Sequence, residues 1–156
     1  MDTENYLANS RLFQGLELEQ LAALYRISEM ESFDAGDRIF DEGDPGEFLY
    51  VVMEGGVRIS ITTAGQGEEA LAILKPGDSF GEMAVIDRQP RERSASAVAH
   101  QNCCLLSIAQ RDLHRLFEQD HTLGFIVMQN VLRYLSEQMR KTNQKILFLS
   151  SAGMFS

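Results

Sequence analysis

Between Phe80 and Ala97 the sequence sets out, in order, the parts of an anion-binding loop. Gly81 precedes Glu82, Met83 and Ala84, in a stretch able to form a short helical turn over 82–86. A glycine that opens such a turn lets its free backbone N–H groups approach an anion. After a polar loop, Arg93 and Ser94 head the next run of β-forming residues. A guanidinium there can take two oxygens of one anion, and the neighbouring hydroxyl can add a further contact. Glu82 would repel a bare phosphate but can accept from ligand hydroxyls, so the pattern asks for a ligand that joins one phosphate to a sugar diol. Gly-Glu and Pro-Arg pairs are each common, and only their ordered combination carries weight.

The other chemistry-bearing side chains form no comparable set. His100, His114 and His121 are scattered, with no H-E-x-x-H or paired-carboxylate spacing, and His114 and His121 read as surface positions of helices. Cys103 and Cys104 are adjacent, a spacing that suits neither a disulfide framework nor a C-x-x-C metal knuckle. They read as back-to-back residues of one strand in a reducing, cytoplasmic compartment. The expectation is a binding protein with no resident metal, not an enzyme.

Three segments must position the loop. In residues 1–27, Leu12, Leu16, Leu21, Leu24 and Ile27 recur at helical spacing and predict a short amphipathic helix or a pair of them. Residues 28–109 change to short β runs at 38–41, 48–53, 57–62, 70–74, 94–99 and 103–108, divided by Gly- and Pro-bearing turns such as Glu42-Gly43-Asp44-Pro45-Gly46. That punctuation argues for an antiparallel sandwich or barrel. In residues 110–156 the period is helical again, with a short helix over 111–119 and a long one from Thr122 or Leu123 to about Leu149. The fold class is therefore mainly β with flanking helices. Met128, Leu132, Leu135, Met139, Thr142, Ile146 and Leu149 follow a 4-3 spacing on the long helix, a seam that calls for a partner helix and so for a homodimer through 128–149. The first turns of that helix are expected to lie on the β body.

Charge and length limit the partners. The chain has 156 residues and a net charge of −9, yet residues 131–156 carry four bases and one acid. The body before them is strongly acidic and should repel nucleic acid, so no direct DNA binding by this chain alone is expected. No apolar run approaches the ~20 residues that span a bilayer, and the acidic, polar start is unlike a signal peptide.

Phe80-Gly81-Glu82-Met83-Ala84 resembles the opening of the phosphate-binding cassette of the cyclic nucleotide-binding domain family, in particular its bacterial Crp/Fnr-type regulators, and Arg93-Ser94-Ala95-Ser96 resembles its close. Glu42-Gly43-Asp44, Leu49-Tyr50-Val51-Val52 and Gly55-Gly56-Val57 resemble the family's hairpins. The resemblance runs from about Leu12 to Leu149. It implies an antiparallel, jelly-roll-like β-roll with an N-terminal helix and a long C-terminal dimerisation helix. It also implies a cyclic nucleotide as ligand, cyclic AMP in preference to cyclic GMP. Glu82 would take the ribose 2′-hydroxyl and Arg93 the cyclic phosphate, with Ser94 and the amides of Gly81, Met83 and Ala84 adding phosphate contacts. One departure stands out: Pro90-Arg91 matches the Pro-Arg pair of many members, but Arg-Ser-Ala-Ser starts two residues later, so Arg91 is the alternative phosphate ligand. Arg93 is favoured because Ser94 can bond the ligand from a strand and Glu92 cannot.

On the long helix, Arg140-Lys141-Thr142-Asn143-Gln144-Lys145-Ile146 resembles the segment by which the bacterial catabolite regulator's family touches adenine. Thr142 interrupts an apolar stripe, where a bound purine would satisfy it; register setting or a bond to its own helix is the alternative. Asn143 would reach the nucleotide of a partner subunit. No helix-turn-helix follows the seam, which leaves three expectations: a sensor signalling through its C-terminal helix, the sensing half of a transcription regulator, or a dimer scaffold that binds no nucleotide.

Overall fold

An apolar run with no polar alternation, such as 48–53, needs cover on both faces. The computed structural model, which describes residues 3–153, supplies two covers. The chain begins with α1 (Thr3–Asn9), a 3-10 turn (Arg11–Phe13) and α2 (Leu18–Arg26). The β body follows as β1 (Ser28–Phe33), β2 (Arg38–Phe40), β3 (Pro45–Gly46), β4 (Phe48–Glu54), β5 (Val57–Thr63), β6 (Gly67–Leu74) and β7 (Ser79–Phe80). After the short helix α3 (Met83–Ile86) come β8 (Arg91–Glu92), β9 (Ser96–Ala99) and β10 (Cys103–Ala109), then α4 (Gln110–Gln119) and α5 (His121–Ser151). All pairings are antiparallel, in sheets ordered β1-β10-β4-β7 and β2-β9-β5-β6 with a small β3-β8 ribbon.

Because side chains alternate along a strand, β4 divides its run between two cores. Leu49, Val51 and Met53 face a helical layer that includes Leu12, Phe13, Leu24, Val85, Leu113, Leu123 and Val127. Tyr50 and Val52 face the interior of the roll with Val57, Phe80, Ala97 and Leu105. On β10, Cys104 packs on the helical side and Cys103 on the roll side, so the two thiols do sit back to back and neither is in a disulfide.

The helix ends are chemically marked. Glu17 and Gln20 form a reciprocal capping box at the start of α2, and Asp120 caps α5 by accepting from Leu123 N at 3.0 Å. The expected amphipathic segment at 12–27 is a 3-10 turn plus α2, since Gln14-Gly15, with Gly15 at φ +88°, breaks the helix. The helix α1 before it was not expected from its polar sequence; Leu7, fully buried, anchors it to the helical layer. The first turns of α5 lie on the 3-10 turn and α4 and share the helical-side core with β4 and β10. Asn130 secures this contact by donating Nδ2 to Leu12 O and Gln14 O, both at 2.9 Å.

Beyond Leu135, the residues of α5 are almost all exposed. Phe125, Leu132, Met139 and Ile146 are all at least half exposed and recur every seven residues, which aligns one apolar stripe along the free side of the helix. No described helix is long and apolar enough to cross a membrane.

Candidate functional site

The turn at Phe80–Ala84 takes the form its residues suggest. Gly81 has φ +76°, a left-handed conformation that side chains rarely adopt, and it admits two close neighbours. A Cβ placed there would stand 2.6 Å from Arg93 Nη1 and 2.7 Å from Phe48 O. Glu82 then caps the single turn α3 without using its carboxylate for the cap. Ala84 and Val85 are buried, while Met83 is exposed with its backbone at the site. His114 is not a plain surface residue: it is half-buried, and its Nε2 lies 3.1 Å from Ala84 O, tying α4 to α3.

Arg93 points inward. It is 9% exposed, its Nη2 donates to Phe48 O at 2.8 Å, and its guanidinium lies 4.2 Å from the centroid of the Phe40 ring and 5.9 Å from that of Tyr50. Its Nε is buried with no partner among the described residues. Burial pulls the Arg93 pKa below its ordinary value, against the opposing pull of Tyr50, Glu82 and Asp44; an arginine so placed keeps its charge. The sequence reading started the next strand at Arg93, but β9 begins at Ser96. The reason lies in the backbone: Arg93 N bonds Asp44 O at 2.7 Å and Gly43 N bonds Arg93 O at 2.8 Å, which engages residue 93 with the 41–46 loop before pairing with β5 can begin.

These groups enclose one cavity of about 270 Å3. Gly81, Glu82, Met83 and Ala84 line one wall, and Arg93 and Ser94 another, so six of the residues singled out in the sequence meet in one place. Arg91, the alternative, lines it too, but its side chain is 75% exposed, with Nε 3.1 Å from Asp87 Oδ1. Burial pushes the Glu82 carboxyl up from its ordinary value, against smaller opposing effects of its own backbone and Arg93.

Thr142 and Asn143 do not line this cavity. Both are exposed on the far half of α5, where Thr142 borders a shallow groove with Lys141, Lys145 and Phe148. The expected burial of Thr142 on an apolar seam is not met in the single chain, because among the described residues the far half of α5 is almost wholly exposed.

Nothing in the sequence signals that Phe40, Gly46, Ile59, Asp87 and Gln110 line the same cavity. Gly46 stood in a turn-rich stretch, and only the fold shows why it is glycine, since a Cβ would lie 2.9 Å from Arg91 O and 3.1 Å from Arg93 Nε. Gln110 is buried at the first position of α4 and donates Nε2 to Asp87 O. Phe40 carried no local signal; its role comes from stacking under a residue far along the chain. Among the described residues, no group of histidines, cysteines and carboxylates could hold a metal ion.

A glycine-opened turn, a buried guanidinium with an open N–H and a carboxylate at one cavity can hold a phosphate ester that also carries hydroxyls, although Ala84 N already donates to Gly81 O at 3.0 Å. Comparison with known proteins gives the same direction. Residues 30–120 match the family described as cyclic nucleotide-binding domain. The CRP-like cAMP-activated global transcriptional regulator of Mycobacterium tuberculosis is 31% identical over 143 residues, 92% of this chain and 61% of that protein. The cyclic AMP receptor protein of Thermus thermophilus is 34% identical over 144 residues, 92% of this chain and 64% of that one. The crystal structure of the N-terminal domain of a transcriptional regulator from Streptomyces coelicolor superposes with a TM-score of 0.76 at 32% identity, covering 90% of this chain and 94% of that domain. This chain thus spans somewhat under two thirds of the length of the two curated relatives.

Proposed function

The chain belongs to the cyclic nucleotide-binding domain family, and we propose that it is a receptor for a cyclic nucleotide, cyclic AMP in preference to cyclic GMP. The observation that carries this reading is Arg93, buried beside the Gly81 turn with its Nε lacking a partner at the cavity. A cyclic phosphate supplies the anionic oxygens that such a donor lacks. Arg93, Ser94 and the amides of Gly81 and Met83 hold the phosphate, while Ala84 N closes the turn on Gly81 O, and Glu82 accepts from the ribose 2′-hydroxyl. The preference for cyclic AMP is supported by the two curated relatives, both named for that ligand.

The apolar stripe of Phe125, Leu132, Met139 and Ile146 supports a homodimer paired along 128–149. Thr142 and Asn143 serve the nucleotide only if binding or helix pairing brings the far half of α5 to a cavity mouth. Signalling then consists of a change in how the two long helices meet, driven by the better contacts of the filled cavity in one state. The role proposed for this cavity is binding rather than catalysis, in keeping with the family. Two free thiols suit a cytoplasmic setting.

The test combines a thermal shift of the whole chain with cyclic AMP and cyclic GMP with calorimetry of Arg93→Ala. The parent is expected to gain stability with cyclic AMP, and Arg93→Ala to keep its fold while losing at least ten-fold in affinity, as a charge-assisted contact is worth about 1.5–3 kcal/mol. Unchanged affinity in that variant removes Arg93 from the phosphate. No shift with either nucleotide in the parent leaves only a pairing scaffold.

A further inference from the structure

Two arginines line the cavity, and the fold treats them differently. Arg91 in β8 and Arg93 just after it both line the cavity, Arg91 largely exposed and Arg93 buried. Arg93 is fixed by Phe48 O, the Phe40 ring and the 41–46 loop. Arg91 has one ion-pair partner among the described residues, Asp87, with Nε 3.1 Å from Oδ1 and a side chain that is 75% exposed. The pair is asymmetric. Asp87 is 17% exposed, its backbone N bonds Met83 O at 3.0 Å and its carbonyl accepts from buried Gln110. Its Oδ2 is buried without a partner. One end of the pair is therefore anchored in the cavity wall and the other is free to swing.

We propose that Asp87 gates the cavity: in the empty protein its carboxylate occupies Arg91, and an entering anionic ligand must draw Arg91 away from it. This rests on the cyclic-nucleotide reading and adds to it a competitor built into the wall. A phosphate entering the cavity gains the second guanidinium only by displacing the Asp87 carboxylate from it. A small anion that makes no other contact does so poorly. A ligand that also fills the cavity and engages Glu82 and the Gly81 turn does so readily. Asp87 thereby selects for ligands larger than their charge, and Arg91 and Arg93 act on the same anion from the rim and from the floor.

Calorimetric titration of the whole chain with cyclic AMP, in the parent, Asp87→Asn, Arg91→Ala and the double variant, tests this. An exposed ion pair is a weak competitor, so releasing Arg91 in Asp87→Asn is expected to tighten binding by about two- to five-fold, and Asp87→Ser should act in the same direction. Arg91→Ala is expected to weaken binding by at least five-fold. In the Arg91→Ala background, Asp87→Asn should gain less than two-fold, because there is no longer a guanidinium to release. Weaker or unchanged binding in Asp87→Asn overturns the gate, as does a gain that persists in full without Arg91. A parent that binds no cyclic nucleotide overturns the receptor reading and the gate together, whereas a binding parent with an inert Asp87 overturns the gate alone.

Discussion

Gly81→Ala probes whether the cavity depends on a close backbone approach. Gly81 lies at φ +76°, where a side chain costs about 1–2 kcal/mol. The added Cβ would also stand 2.7 Å from Phe48 O, a backbone atom of β4 that cannot yield, and 2.6 Å from Arg93 Nη1. Relief requires Arg93 to leave Phe48 O, and a hydrogen bond from a charged donor is worth about 1.5–3 kcal/mol. The two costs sum to roughly 2.5–5 kcal/mol. Gly65 provides the control: its φ is +83° and nothing lies within 4 Å of its Cβ position, so Gly65→Ala meets only the backbone cost. In urea unfolding, with a slope of ~2 kcal/mol per M, Gly81→Ala should lower the midpoint by about 1.2–2.5 M and Gly65→Ala by about 0.5–1 M. Equal losses in the two variants would show that the approach of Gly81 to Arg93 and Phe48 O contributes nothing, and the argument for a pre-shaped anion site would fail.

Glu82→Gln tests the effect of burying a carboxylate. The folded protein raises the Glu82 pKa, so it binds that proton more tightly than the unfolded chain does, whose carboxyl titrates near about 4.3. Ionised Glu82 therefore detracts from stability at neutral pH, and the deficit shrinks as pH falls through the raised folded value. Denaturation in the absence of ligand should find Glu82→Gln more stable than the parent at pH 7 and no different below about pH 4; a variant less stable at pH 7 contradicts this. Asn130→Ala leaves Leu12 O and Gln14 O without their donor and should lose about 2 kcal/mol by thermal or chemical unfolding; a loss under about 0.5 kcal/mol would mean that α5 does not rely on that link. Leu132→Glu places a charge on the apolar stripe and should shift the chain to a monomer in sedimentation with its fold intact; an unaltered oligomeric state would place the dimer contact elsewhere.

The β body was legible because its signals are local. Gly55-Gly56 and Lys75-Pro76-Gly77-Asp78 mark turns whatever the tertiary contacts, and the glycine turn with its following arginine is a linear pattern. Other features depend on distant residues. β8 and β3 are two-residue strands that exist because each finds the other, and nothing in Arg91-Glu92 or Pro45-Gly46 alone signals pairing. Asp87 and Gln110 enter the cavity because α4 packs on α3 across a long stretch of sequence. Thr142 shows the opposite failure: its heptad position is plain in the sequence, but its burial depends on a second helix that a single chain does not hold.

The far half of α5 has a consequence for the order of the chain itself. Isolated helices shorter than ~12–15 residues are marginal in water, and from Ser136 to Ser151 this one has little tertiary packing to supplement its own backbone bonds. In the proposed homodimer its last four turns are conditional structure, coupled to the pairing of two copies. Dilution of that dimer should then fray the helix from its C-terminal end, which would make helicity a function of concentration as well as of sequence.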